Sequence, residues 1–283
     1  MIELDDFKEV ISKYKVIFFD AFGVLKTYNG LITGVDKTLA FLQQNNQDFY
    51  ILTNDASRSP AQLAAYYNRL GVGSITPASV ISSGMLAREY LSLKVKTGTV
   101  AYLGTPDSTC YIKDLGLNLL PIKDLDLNNI ADINALVLLD DEGFDWNYDL
   151  SKTINLLRRR NIPVVVANTD LTYPVSKQQV AIAIGGLADM LETLVGKRFI
   201  RFGKPDAQVF IYAYEQMKNY PNVAKNEILM VGDTLQTDIL GGNKFGLDTA
   251  LVLTGNTQIE DAEVRISSTG IIPTYICESA VIH

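Results

Sequence analysis

The chain has 283 residues, with 25 Lys plus Arg against 32 Asp plus Glu and a net charge of −7. That length holds one large or two medium domains with a full core, and the acidic balance argues against nucleic acid or an anionic membrane as partner. Cys110 and Cys277 are too few and too far apart for a disulfide framework or a zinc site. The single histidine, His283, is the last residue, which argues against histidine-based triads and zinc hydrolysis. The N-terminus, Met1-Ile2-Glu3-Leu4-Asp5-Asp6, lacks the basic and apolar regions of a signal peptide, and no apolar run approaches membrane-spanning length. The expectation is a cytoplasmic protein.

Apolar stretches alternate with amphipathic ones along the chain, the pattern of an α/β fold with parallel sheets. The run Val16-Ile17-Phe18-Phe19 reads as a strand buried on both faces, and it stops on Asp20, with Gly23 allowing a tight turn behind it. In open α/β sheets ligands bind at the carboxyl ends of strands, so Asp20 is either an ordinary strand-to-loop acid or a site residue. A helix is expected from Val35 to Asn46. Phe49 to Leu52 then forms a second strand, ending on Thr53-Asn54-Asp55 before a helix opened by Ser59-Pro60. The hydroxyl and amide there suit an anion as well as a helix cap.

Three further strands, Thr99–Gly104, Ala135–Asp140 and Pro163–Asn168, with helices between them, suffice for a separate α/β domain. It is expected over 80–199, inserted into a domain made of 1–79 and 200–283. Arg158-Arg159-Arg160 closes a helix, where positive charge is favourable. Asn168-Thr169-Asp170-Leu171-Thr172-Tyr173-Pro174 reads as a polar loop after a buried strand, placed as a substrate-reading loop would be. Asp189 and Glu192 are expected to be solvated on the helix Gly186 to Leu194.

Phe202-Gly203-Lys204-Pro205-Asp206 then sets a lysine in a rigid frame ahead of a helix bearing Phe210, Tyr214 and Met217. It is a surface turn lysine or a fixed charge that neutralises phosphate and carboxylate. Glu227 to Val231 forms a strand ending in Gly232-Asp233, with Asp238 five residues on. Two hard oxygen ligands at such a terminus suit magnesium, although Asp238 also favours a helix N-terminus. Leu251 to Gly255 gives another buried strand.

Asp20 with Gly23-Val24, Thr53-Asn54, Gly203-Lys204-Pro205, and Gly232-Asp233 with Thr237-Asp238 resemble, in that order, the four motifs of the haloacid dehalogenase superfamily. The α/β insertion between the second and third motifs resembles the class II type A cap of the NagD-type phosphatases, and the likeness covers nearly the whole chain. The resemblance implies a Rossmann-like parallel-sheet core with an inserted α/β cap, which often mediates homodimers. It implies a Mg2+-dependent phosphatase acting on a small phosphorylated metabolite: a sugar phosphate, a nucleotide monophosphate, pyridoxal phosphate or an aryl phosphate.

By the same resemblance Asp20 is the nucleophile that forms an aspartyl-phosphate. Thr53, Asn54 and the loop amides at Phe22 and Gly23 hold phosphoryl oxygens, and Lys204 offsets charge between nucleophile and phosphate. Asp20, Asp233 and the Phe22 carbonyl bind the metal, while Asp238 holds a metal-bound water or orients Lys204. Asn168 and Asp170 sit where the family's cap carries its specificity loop.

One position departs from that pattern. Most phosphatases of the superfamily carry a second Asp two residues after the nucleophile as general acid and base, and this chain has Phe22. Loss of a general acid is worth roughly 10²- to 10⁴-fold, about 3 to 5 kcal/mol of barrier. Three consequences are open: substrates with good leaving groups, a proton from Asp55, Tyr28 or Asp170, or a fold that binds a phosphorylated ligand without turnover. An aromatic residue here also resembles 2-haloacid dehalogenases, but those need no metal, which leaves Asp233 and Asp238 without a purpose.

Overall fold

Val16-Ile17-Phe18-Phe19 is wholly buried because it lies in the middle of a sheet covered on both faces. A computed structural model describes residues 2–176, 179–217 and 222–282; His283 lies outside them. The chain divides into two compact units. The first comprises the residues up to Thr53, Pro60–Ile81, and those from Lys204 onward; the second comprises Asn54–Ser59 and Ser82–Gly203.

In the first unit Val16–Phe19 pairs in parallel with Ile228–Gly232 on one side and Asp48–Thr53 on the other, placing Phe19 opposite both Val231 and Ile51. The six strands run in the order Tyr275–Cys277, Asp248–Val252, Ile228–Gly232, Val16–Phe19, Asp48–Thr53, Val80–Ser82. Strands from the chain's beginning extend to one side of Val16–Phe19 and strands from its end to the other. The topological switch therefore falls between Val16–Phe19 and Ile228–Gly232, whose carboxyl ends carry Asp20 and Asp233.

Two elements differ from the sequence reading here. Glu227 closes a short 3₁₀ turn, Lys225–Glu227, so the strand begins at Ile228. The expected strand Leu251 to Gly255 is Asp248–Val252, because its ladder with the neighbour starts at Leu229 opposite Asp248. Thr254 and Gly255 are thereby released into the loop that follows.

The second unit holds a five-stranded parallel sheet in the order Ile200–Arg201, Val164–Val166, Ile133–Leu138, Thr99–Leu103, Asn118–Pro121. Its core is aliphatic, with Leu136, Leu138, Val164 and Val166 packed against Leu156 and Leu191. The two edge strands were not expected from sequence: one is only two residues long and the other ends on a proline. The segment read as a polar loop is in part a hairpin, since Thr172–Pro174 pairs antiparallel with Val180–Ile182.

Glu192 is also not solvated. It is buried, accepts the Phe199 N–H, and pairs with Arg201 at 3.1 Å and Arg198 at 3.6 Å. Asp189 stays half exposed but lies 2.5 Å from Arg201, because the short Ile200–Arg201 strand delivers that guanidinium to the helix Ile184–Val195. Arg158 and Arg159 occupy the last turn of the helix Tyr148–Arg159, and Arg159 donates to the Leu127 carbonyl at 3.1 Å.

Candidate active site

Asp20 leaves the sheet directly after Phe19, its N–H still bonded to the Val231 carbonyl at 2.9 Å. On the adjacent strand Asp233 follows Gly232. Between the two carboxyl ends, Gly23 with φ +79° and Gly255 from the loop after Asp248–Val252 press on the Asp233 side chain. A Cβ at either glycine would fall inside the Asp233 carboxylate. Small size at both positions is therefore a condition for that acid to occupy its place.

Asp238 lies on a π-helical turn, Leu235–Ile239, that opens the helix Leu240–Phe245. Lys204 precedes Asp206, which caps the helix Ala207–Gln216 by accepting the Gln208 N–H at 3.1 Å. The two helices pack closely, with Phe210 stacked on Phe245 at 5.8 Å and Gly241 against the Phe210 ring. That packing brings Lys204 to the acids. Its ammonium, 2% exposed, donates to Oδ1 of Asp20 at 2.5 Å and lies 2.7 Å from Oδ1 of Asp238.

Ligand oxygens of Asp20, Asp233 and Asp238 all lie within 4.8 Å of one another. Burial pushes the Asp233 carboxyl well above the usual carboxylate range, and the charges of Asp20 and Asp238 push further. Burial likewise raises Asp238, to about 7, against the opposing Lys204 charge. Burial would lower the Lys204 ammonium, but the Asp20 and Asp238 carboxylates outweigh it and hold the group above the usual lysine value. One ammonium thus pairs with two of the three clustered acids, Asp20 and Asp238. A hard divalent cation fits this set, because it would relieve the remaining like-charge repulsion through oxygen ligands alone.

The other residues expected at a phosphate or substrate site divide between the units. Thr53 is buried at the end of Asp48–Thr53, one strand over from Asp20. Phe22 is half-buried in the turn after Asp20, where the Gly23 N–H bonds the Lys26 carbonyl at 2.7 Å. In the second unit Asn54 donates to Asp170 Oδ1 at 2.8 Å and Thr169 Oγ1 at 3.1 Å, and Asn168 accepts the Asp170 N–H at 2.8 Å. Of the groups considered as proton donors, Tyr28 is 42% exposed, and Asp55 accepts both the N–H and the hydroxyl of Ser57.

Sequence reasoning missed Thr234, Thr254 and Asn256. Thr234 donates to Asp233, Thr254 donates to the Gly23 carbonyl at 2.5 Å, and the Asn256 N–H bonds Asp233. The one available signal was a Thr-Gly-Asn-Thr stretch directly after a buried strand.

Residues 17–118 match the profile of haloacid dehalogenase-like hydrolases, and residues 201–280 match a HAD-hydrolase-like profile. A crystal structure described as a possible sugar phosphatase of the HAD superfamily from Cytophaga hutchinsonii is 61% identical over the whole of both chains, with a TM-score of 0.96. The chain belongs to the haloacid dehalogenase superfamily. Within the superfamily it is a NagD-like phosphatase, a phosphoric monoester hydrolase. Bovine chronophin (Bos taurus) is 28% identical over 96% of this chain and 93% of its own. A glycerol phosphate phosphatase from Mycobacterium tuberculosis, solved in complex with calcium, is 26% identical over 96% of this chain and 75% of its own, with a TM-score of 0.77.

Proposed function

We propose that the protein is a magnesium-dependent phosphatase that hydrolyses a small phosphorylated metabolite through an aspartyl-phosphate on Asp20. The observation that carries this reading is the convergence of Asp20, Asp233, Asp238 and Lys204 at adjacent strand ends of one parallel sheet. Asp20 is the acid of this group that is partly open, at 15% side-chain exposure, as a nucleophile must be to reach phosphorus. In the proposed reaction one Asp20 oxygen attacks the phosphorus, the P–O ester bond breaks, and the departing oxygen takes a proton from solvent to become the alcohol. Water then cleaves the acyl phosphate, freeing phosphate and restoring the carboxylate.

Lys204 holds Asp20 in place and offsets charge as the phosphoryl group approaches. Asp238, through its 2.7 Å contact, fixes that ammonium. Asp20, Asp233 and the Phe22 carbonyl would hold the magnesium ion, whose chemistry is to neutralise phosphoryl oxygens and aid transition-state charge. Thr53 and Asn54, with the Phe22 amide, are assigned to the phosphoryl oxygens, and Asn168 and Asp170 to the leaving group; the Gly23 N–H, also expected at the phosphate, is instead engaged by the Lys26 carbonyl at 2.7 Å.

In the same proposal 1–79 with 200–283 form the catalytic core, and 80–199 form a cap that excludes water during transfer and mediates a homodimer. A sugar phosphate is the favoured substrate class, in line with the description of the 61% identical protein. None of the described helices is long and apolar enough to cross a membrane, and a cytoplasmic site of action is part of the proposal.

The test is p-nitrophenyl phosphate, whose leaving group needs no acid. Hydrolysis that requires Mg2+ and disappears in Asp20→Asn supports the reading. Binding of a phosphate analogue without turnover would instead identify a phosphometabolite-binding protein.

A further inference from the structure

We infer that Thr234 and Asn256 are positioning residues that set the Asp233 carboxylate for cation binding, an inference that rests on the phosphatase reading above. Thr234 Oγ1 donates to Asp233 Oδ1 at 3.0 Å, and the Asn256 N–H donates to Asp233 Oδ2. The Asn256 side-chain amide in turn donates to Thr234 Oγ1 at 2.8 Å. A hydroxyl has one proton, and an N–H already points at its oxygen, so the Thr234 proton is committed to Asp233. Both carboxylate oxygens are thereby engaged by one two-residue clasp, and each keeps lone-pair capacity for a cation.

The clasp is itself anchored. Thr254 donates to the Gly23 carbonyl, the Thr257 N–H bonds the Asp233 carbonyl at 3.2 Å, and Arg265 donates to the Asn256 carbonyl at 3.0 Å. Gly23 and Gly255, in contact with each other, both press on Oδ2 of the carboxylate. Hydrogen-bond partners of this kind orient a metal ligand, and their loss typically costs 10- to 100-fold in metal affinity.

Calorimetric titration of Mg2+ into the full-length protein, with no substrate present, tests this. Thr234→Val keeps the shape of the side chain and removes the hydroxyl, and it is expected to weaken Mg2+ binding roughly 10- to 100-fold. Asn256→Ala, at an exposed position, should weaken it in the same direction, while Thr234→Ser should restore wild-type affinity. Melting in chelator should leave all three variants close to wild type. Wild-type affinity in both Thr234→Val and Asn256→Ala, or an equal loss in Thr234→Ser, overturns the positioning role while leaving the phosphatase reading intact. If one variant does not fold, the other decides. Absence of Mg2+ binding by the wild type would bring down the phosphatase reading, and this inference with it.

Discussion

The Lys204 ammonium donates to Oδ1 of Asp20 at 2.5 Å while also lying 2.7 Å from Asp238. A single buried cation therefore ties the acid at the end of the first core strand to an acid on the turn after Ile228–Gly232. Removing one partner from such a buried pair typically costs about 3 to 5 kcal/mol, because the remaining charge is left uncompensated. Lys204→Met should accordingly lower the melting temperature in chelator, with part of the loss regained on adding Mg2+. Turnover should fall by about 10²- to 10³-fold, the scale for losing a preorganised charge-stabilising donor. Melting curves with and without Mg2+ check the first expectation and steady-state kinetics the second.

Gly23→Ala should be more damaging than a change of one methyl group implies. Gly23 has φ +79°, a conformation costing a side-chain-bearing residue about 1 to 2 kcal/mol, and its Cβ would displace the Asp233 carboxylate. Gly255→Ala meets the same carboxylate and the Gly23 Cα, without the positive φ. Both variants should lose Mg2+ affinity and some stability to the clash between the two loops, and only Gly23→Ala should add the cost of the positive φ. Metal titration paired with melting in chelator separates the two contributions.

Phe22→Asp restores the acid that most phosphatases of the superfamily carry at this position. If proton supply to the leaving group limits the natural enzyme, turnover of alkyl phosphates should rise, by as much as 10²- to 10⁴-fold, while p-nitrophenyl phosphate changes little. Parallel assays on the two ester types check this. Equal responses of both esters would mean that leaving-group protonation is not what Phe22 withholds.

Asp140, in the second unit, provides a pH-dependent test on a carboxylate outside the Asp20, Asp233 and Asp238 cluster. Burial first, and the Asp141 charge second, raise its carboxyl from an ordinary 3.8 to about 6, against opposing hydrogen bonds from the Thr105 hydroxyl and the Asp141 N–H. Between those values the folded state binds more protons than the unfolded state, so stability from this group falls as pH rises to about 6 and stays low above it. Relative to Asp140→Asn, the wild type should lose about 1 kcal/mol between about pH 4 and pH 7, a figure reduced for partial solvent exposure. Urea unfolding of both proteins at the two pH values checks the difference; parallel pH curves would contradict it.

The parts legible in the sequence were those fixed by local pattern. Val16–Phe19 was readable because four consecutive apolar residues ending on Asp20 have little use except as a strand buried on both faces. The Gly-Lys-Pro frame and Gly232-Asp233 were readable because special backbone residues flank single charges. Glu192 was misread because its partner Arg201 is nine residues away on a two-residue strand that has no periodicity to detect. The clasp on Asp233 was invisible for a similar reason. Thr234 and Asn256 are 22 residues apart, and they meet only after the strand register places Thr254 and Gly255 in a loop beside the carboxylate.

Asp20 is the residue on which the proposed reaction turns. Quenching the enzyme in acid during p-nitrophenyl phosphate turnover with Mg2+, reducing with borohydride and mapping peptides by mass spectrometry reads which carboxylate carried phosphate. Conversion of Asp20 to homoserine is the predicted result. Full turnover with Asp20 unmodified, or the modification appearing on Asp233 or Asp238, would contradict it.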